Sequence, residues 1–238
     1  MPGFELKSGA RKLIRENSPK IFFVSILFIF IVTLMSELQF RLPGTMDAYV
    51  QYLDRLSAGE IQGFGNIYSY FRPSGIPFAL ILWLLNSVMN VGYQSFCLKI
   101  SRGGKAEYKD IFDGFLFVGK VLVIKIVTNI FIILWSLLLF FPGIIAYYRY
   151  RQAYLILLDD PTKGIMQCIR ESARLMHKKK LDLFLLDISF IGWVLLDYVI
   201  IIISPLPFTL PLVSIWLTPY QGLANAAFYN HLIATLAV

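Results

Sequence analysis

Two arginines and two aspartates hold most of the chemical potential of this sequence, because all four fall inside apolar stretches. Arg149 and Arg151 sit midway through FFPGIIAYYRYRQAYLILLDDP, residues 140 to 161, and Asp187 and Asp197 lie in the next apolar block. A charge at bilayer depth costs several kcal/mol unless it is paired or hydrated. Three uses therefore stand open. The ions can lock two spans together, an arginine can snorkel to the outer headgroups, or the group can form a polar path for an anionic lipid or peptide.

Depth divides these residues into pairs. With Pro142 and Gly143 as a helix break at the outer boundary, Arg149 lies ~9–10 Å below it and Arg151 ~12–13 Å, at 1.5 Å per residue. With Lys180 at the inner boundary, Asp197 falls near the outer end of the following span and Asp187 ~10 Å above the inner end. Arg149 is thus expected to pair with Asp197, and an Arg151–Asp187 pair demands more side-chain reach. The two arginines differ by about 200° around a helix, so they face different surroundings. Arg149 shares its face with Ala146 and Ala153, while Arg151 has Tyr147, Tyr148, Tyr154 and Leu155 beside it, offering hydroxyls and cation–π contacts.

Catalysis finds little support. No G-x-S-x-G, H-E-x-x-H, Walker or dinucleotide glycine pattern occurs. Asp187 and Asp197 are about 15 Å apart along one helix, too far to act as a dyad. Cys97 and Cys168 belong to no C-x-x-C pair, and His177 and His231 are isolated. The expectation is a non-enzymatic protein with no catalytic residues, cofactor or metal.

The elements that must position the four ions are apolar helices. The chain has 238 residues, of which 57% are hydrophobic and 16% charged, with a mean hydropathy of +0.66. A soluble domain has about 45–50% apolar and about 25% charged residues. The excess is concentrated in blocks 21–36, 76–98, 121–141, 144–158, 181–203 and 212–236. Crossing a bilayer takes about 20 apolar residues. The expected fold is an all-α integral membrane protein with about six transmembrane helices, forming a single membrane domain over residues 1–238. The first block follows Arg11, Lys12, Arg15 and Lys20, as in a secretory signal, but no small-x-small cleavage pattern follows it. It reads as an uncleaved first span.

The net charge of +7 reports orientation rather than nucleic-acid binding. Five of the 22 Lys and Arg residues precede the first span, four lie at 99–114 and six between Lys163 and Lys180; Arg41, Arg55 and Arg72 are the three in the 37–74 loop. The positive-inside rule then assigns both termini and the 99–114 and 161–180 segments to the cytoplasm. The expected location is the bacterial cytoplasmic membrane, with the lipid bilayer and its anionic inner-face headgroups as partners, partner membrane proteins in addition, and no nucleic acid.

Amphipathic cytoplasmic segments at 1–20, 99–118 and 160–180 precede the first, third and fifth spans. Their apolar stripes are Leu6, Ala10, Leu13 and Ile14; Tyr108, Ile111, Phe112 and Phe115; and Ile165, Ile169, Ala173 and Met176. Such spacing suits helices lying in the membrane interface. It suggests three repeats of interfacial helix plus helix hairpin. Asp160 is placed to cap the third segment, with Pro161 in its first turn. The extracytoplasmic loop, 37–74, holds a helix with Met46, Tyr49, Val50, Leu53 and Leu56 on one face, Thr45 as N-cap and Gly59 as stop. Pro219, inside the last span, is read as a helix break, followed by the polar Gln221 and Asn225.

PGIIAYYRYRQAYLILLDDP, then ESARLMHKKKLDLFLLDISFIGW, then LTPYQGLANAAFY resemble the domain-of-unknown-function 975 family of bacterial integral membrane proteins. The loop GGKAEYKDIFDGF fits that family's second cytoplasmic segment. The resemblance covers roughly residues 1–236 and departs from the family at His177, where glycine is frequent. It implies architecture and membrane localisation, not chemistry. The leading expectation is a membrane scaffold or accessory subunit; the alternative is a small transporter or permease component for an amphiphilic lipid or peptide.

Overall fold

The computed structural model describes residues 3–41, 45–60, 76–203 and 211–236, and no strand occurs among them. The first helices are α1 (Gly3–Glu16), α2 (Lys20–Arg41), α3 (Thr45–Ser57) and α4 (Ile76–Ser101). A 3₁₀ helix at Tyr108–Phe117 leads into α5 (Val118–Leu138), followed by α6 (Phe140–Tyr150), α7 (Ala153–Asp159) and α8 (Ile165–Leu175). The chain continues with α9 (Lys180–Ile188), α10 (Ile191–Ile203) and α11 (Leu212–Leu236).

Three helical stretches are long and apolar enough to cross a bilayer: Lys20–Gln39, Tyr108–Leu138 and Lys180–Ile200. They mark the chain as a membrane protein. Their large apolar side chains are largely exposed, among them Phe23, Ile133, Leu134, Leu181 and Leu195. Such a surface is costly in water and favourable in hydrocarbon.

The chain forms two compact units, residues 30–87 and residues 1–29 with 88–238. In the smaller unit, α3 starts at Thr45, and Gly59 takes a left-handed conformation (φ 72°) just beyond its end. Its Val50, Leu53 and Leu56 are exposed, while Tyr52 is buried. Residues 61–75, with the predicted aromatic belt, lie outside the described residues, as do 204–210 with their prolines.

In the larger unit the first and third amphipathic segments turn most of their apolar stripes toward protein, whereas in the second Ile111 is buried and Tyr108, Phe112 and Phe115 are exposed. Leu6, Ala10 and Ile14 are buried, and α1 packs along α11. Cys168, Ile169, Ser172 and Met176 are buried where α8 packs on α7. The 3₁₀ helix presses against α4 through two glycines. A Cβ on Gly92 would stand 1.9 Å from the Ile111 carbonyl oxygen, and one on Gly114 would stand 2.1 Å from that of Val88.

Several sequence-based boundaries need correction. The turn before α6 is Leu139 alone, in extended conformation; Pro142 and Gly143 lie inside the first turn of α6. Proline is tolerated there because first-turn amides have no intrahelical partner. Pro219 breaks nothing: it is inside α11, which runs on to Leu236. The missing amide costs one hydrogen bond, and packing on both sides holds the helix. The third amphipathic helix starts at Ile165 with Gly164 as its N-cap residue, so Asp160 does not cap it. Asp160 instead accepts hydrogen bonds from the Thr162 amide (3.1 Å) and hydroxyl (2.5 Å), holding a turn that includes Pro161. The fourth and fifth apolar blocks are each two helices, α6–α7 and α9–α10.

Candidate functional site

The interruption between α6 and α7 falls at Arg151 and Gln152, the centre of the arginine-bearing segment. Both keep nearly helical dihedrals, φ −62°, ψ −30° and φ −82°, ψ −5°. The interruption is thus a local loss of hydrogen bonds without a change of direction. Ser172 of α8 supplies the cause. Its hydroxyl donates to the Arg149 carbonyl at 2.9 Å and accepts from the Gln152 amide at 3.2 Å. A side chain inserted into the i→i−4 ladder splits a helix in this way. Ser172 is fully buried, and its hydroxyl gives both backbone groups a partner in place of intrahelical ones.

Arg151 points from this break into a polar cluster. One guanidinium nitrogen donates to the Asp187 carboxylate of α9 in an ion pair, and another donates to the Asn225 side-chain oxygen of α11 at 3.3 Å. The Tyr148 hydroxyl donates to the same Asp187 carboxylate at 3.0 Å. The guanidinium also lies 5.8 and 5.9 Å from the Tyr147 and Tyr148 ring centroids. One side chain therefore ties α6, α9 and α11 together. Beside it Gln152 is 2% exposed, and its side-chain oxygen has no hydrogen-bond partner.

Arg149 and Asp197 do not come together. Arg149 is exposed, its guanidinium 5.6 Å from the Tyr150 ring, and it forms no ion pair among the described residues. Asp197, 5% exposed, accepts from the Val213 amide (3.0 Å), the Ser214 amide (3.0 Å) and the Ser214 hydroxyl (2.5 Å). These amides belong to the first turn of α11, so the carboxylate caps a helix start from a neighbouring element. Depth matching counted only charged partners; free amides with the helix dipole behind them satisfy a carboxylate equally well.

The second interruption, at Ser189–Phe190, is served from α1. Lys7 donates to the Ser189 carbonyl at 3.3 Å and stands 4.5 Å over the Phe190 ring. Burial there, with neighbouring Arg11 adding to it, lowers the Lys7 pKa. Phe190, Trp193 of α10, and Trp216 and Tyr220 of α11 pack edge-to-face or tilted against one another, with ring centroids 5.0 to 5.6 Å apart.

A further cluster escaped the sequence reading. Arg102, just past α4, makes two bonds to Asp159 at the end of α7, at 2.5 and 3.0 Å. It also donates to the Asn230 side-chain oxygen of α11 at 3.0 Å. Asn230 donates to the Ser101 hydroxyl at 2.9 Å, and the Tyr229 hydroxyl donates to Asp159 at 2.9 Å. The ends of α4 and α7 and the later part of α11 are thereby joined. The one signal available was that Arg102 and Asp159 each follow the end of an apolar block; Tyr229 and Asn230 lie inside the last block and gave none.

Residues 137–235 match the family model described as "Protein of unknown function (DUF975)", the family whose resemblance the sequence carries. That range contains Arg149, Arg151, Ser172, Asp187, Asp197 and Asn225. No curated protein and no solved structure matches the chain.

Proposed function

We propose that this chain is a non-enzymatic, six-span protein of the bacterial cytoplasmic membrane that acts as a scaffold or accessory subunit, through lipids or partner proteins. The observation that carries the reading is the engagement of three of its four deep ions, Arg151, Asp187 and Asp197. Arg151 is held by Asp187, Asn225 and two tyrosine rings, and Asp197 is spent on the start of α11. Groups committed in this way fix helices; a substrate path needs groups left open to substrate.

Three repeats of one unit account for the span count. Each unit has an amphipathic segment, an outer helix facing lipid, and a more polar inner helix. Hydropathy detects stretches that contain most or all of the outer members, α2, α5 and α9–α10. The inner members are α4, α6–α7 and α11. Two recurring contacts support the repeat. Each amphipathic segment packs on the inner member of the preceding unit: the 3₁₀ helix on α4, α8 on α7, and α1 on α11, closing the series. A lysine opening the outer helix also donates to a carbonyl in the loop ahead, Lys20 to Ala106 and Lys120 to Pro161. The basic segments put both termini in the cytoplasm. Cysteine labels in the 37–74 loop of intact cells test this topology: they react with an impermeant reagent if six spans hold, and stay protected otherwise.

The transporter reading draws support from one feature, the buried, unpartnered Gln152 oxygen at a helix interruption, where transporters commonly bind substrate and ions. Arg151→Ala and Gln152→Leu separate the two. A scaffold loses melting stability in Arg151→Ala; a transporter keeps its melting temperature in Gln152→Leu and loses flux of an amphiphile in proteoliposomes.

A further inference from the structure

Where the first and second amphipathic segments meet, a cavity of about 410 Å³ opens, with Asn17, Lys20 and Lys105 among its walls, Glu107 at one side, and Phe96 and Ile100 beneath. The volume is within the range of small-ligand sites, about 300–1,000 Å³. Its charges are unbalanced. Lys20 donates to the Ala106 carbonyl and lies 5.7 Å from the Tyr108 ring, and Lys105 is exposed. Neither forms an ion pair among the described residues. Glu107, the one acid lining the cavity, is engaged by Lys109 at 2.8 Å. Two lysines therefore line one space, and neither is ion-paired with a carboxylate among the described residues.

The matching junction further along the chain differs. Lys120 opens α5 as Lys20 opens α2, but it donates to two carbonyls, those of Pro161 and Lys163. The nearby Lys163 ammonium is neutralised by Glu171 at 2.7 Å. There one lysine donates to two carbonyls and the other to a carboxylate. Lys20 is bound to one carbonyl, which leaves two of its three N–H donors, and Lys105 is exposed and unpaired among the described residues. Lys20 is also the first residue of a membrane-spanning stretch, the level at which headgroup phosphates lie.

We infer that the Lys20–Lys105 cavity binds a phosphate group, that of an anionic phospholipid headgroup, with Phe96 and Ile100 against its glycerol end. The two ammoniums bind the phosphate oxygens, while the Asn17 side-chain amide, which donates to the Leu13 carbonyl at 2.9 Å, forms part of the wall. The inference rests on the reading of the chain as a membrane protein acting through lipids, and supplies that reading with a site.

Native mass spectrometry of the full chain in detergent, titrated with phosphatidylglycerol or phosphatidylcholine, tests it. Wild type is expected to retain phosphatidylglycerol, and K20Q/K105Q to bind it about tenfold more weakly or worse, each lysine being worth about a factor of five near anionic lipid. K12Q/K179Q removes two charges elsewhere and should bind like wild type. Melting without lipid checks that the variants fold, and K105Q alone, at an exposed position, gives a second reading with a smaller loss. Equal weakening in K20Q/K105Q and K12Q/K179Q overturns the site and leaves the lipid reading standing, while no preference for phosphatidylglycerol in wild type overturns both. A parallel titration with inorganic phosphate separates the sources. Protection of wild type, but not of K20Q/K105Q, by phosphate without lipid selectivity would assign the cavity to a soluble phosphate and overturn the headgroup assignment.

Discussion

The two helices of the fifth apolar block each carry one deep acid, and they use it differently. Asp187 on α9 reaches across the bundle to Arg151 and Tyr148. Asp197 on α10 stays with its sequence neighbour and caps α11. The first holds together elements distant in sequence; the second fixes the return of a single hairpin. A buried carboxylate needs donors, and a cation is one supplier of them among several. Which supplier it meets decides whether its loss loosens the bundle or one turn.

The largest effect should come from the first region. Arg151→Ala leaves Asp187 with one tyrosine and no cation, and a loss of about 3 kcal/mol is expected, the low end for a broken buried pair because both side chains are a quarter exposed. Thermal melting of the detergent-purified chain measures it. Next is Ser172→Val, which strands the Arg149 carbonyl and the Gln152 amide at a cost of about 2 kcal/mol; hydrogen exchange at Gln152 should rise with it. Asp197→Ala is expected to cost about 1–2 kcal/mol, as for a lost helix cap, with faster exchange confined to the start of α11. If it instead loosens α6, the separation between the two acids is wrong. Arg149→Ala should change stability by no more than about 0.5 kcal/mol, since the side chain is exposed and touches one ring.

Much of the architecture was legible in the sequence. Apolar blocks marked the three stretches long enough to cross a bilayer, and i, i+4 stripes located the three amphipathic segments, because both signals are local. The 200° separation of Arg149 from Arg151 correctly assigned them different surroundings. The interruptions were not legible. Nothing near Arg151 announces a break, since the agent is a serine about twenty residues later whose hydroxyl matters only once α8 has packed. Proline misled for a related reason: Pro142 fits a first turn, and Pro219 is carried by its surroundings. Asp197 was paired wrongly because charge was weighed and free amides were not.

Arg151 and Asp187 are structural ties between α6, α9 and α11. Melting of wild type, Arg151→Met, Asp187→Leu and the double variant, all in one detergent, tests this most directly. Each single variant should lose about 3 kcal/mol, and the double variant should recover most of that, because apolar replacement of both partners removes the stranded charge. An Arg151→Met protein that melts like wild type would contradict the account.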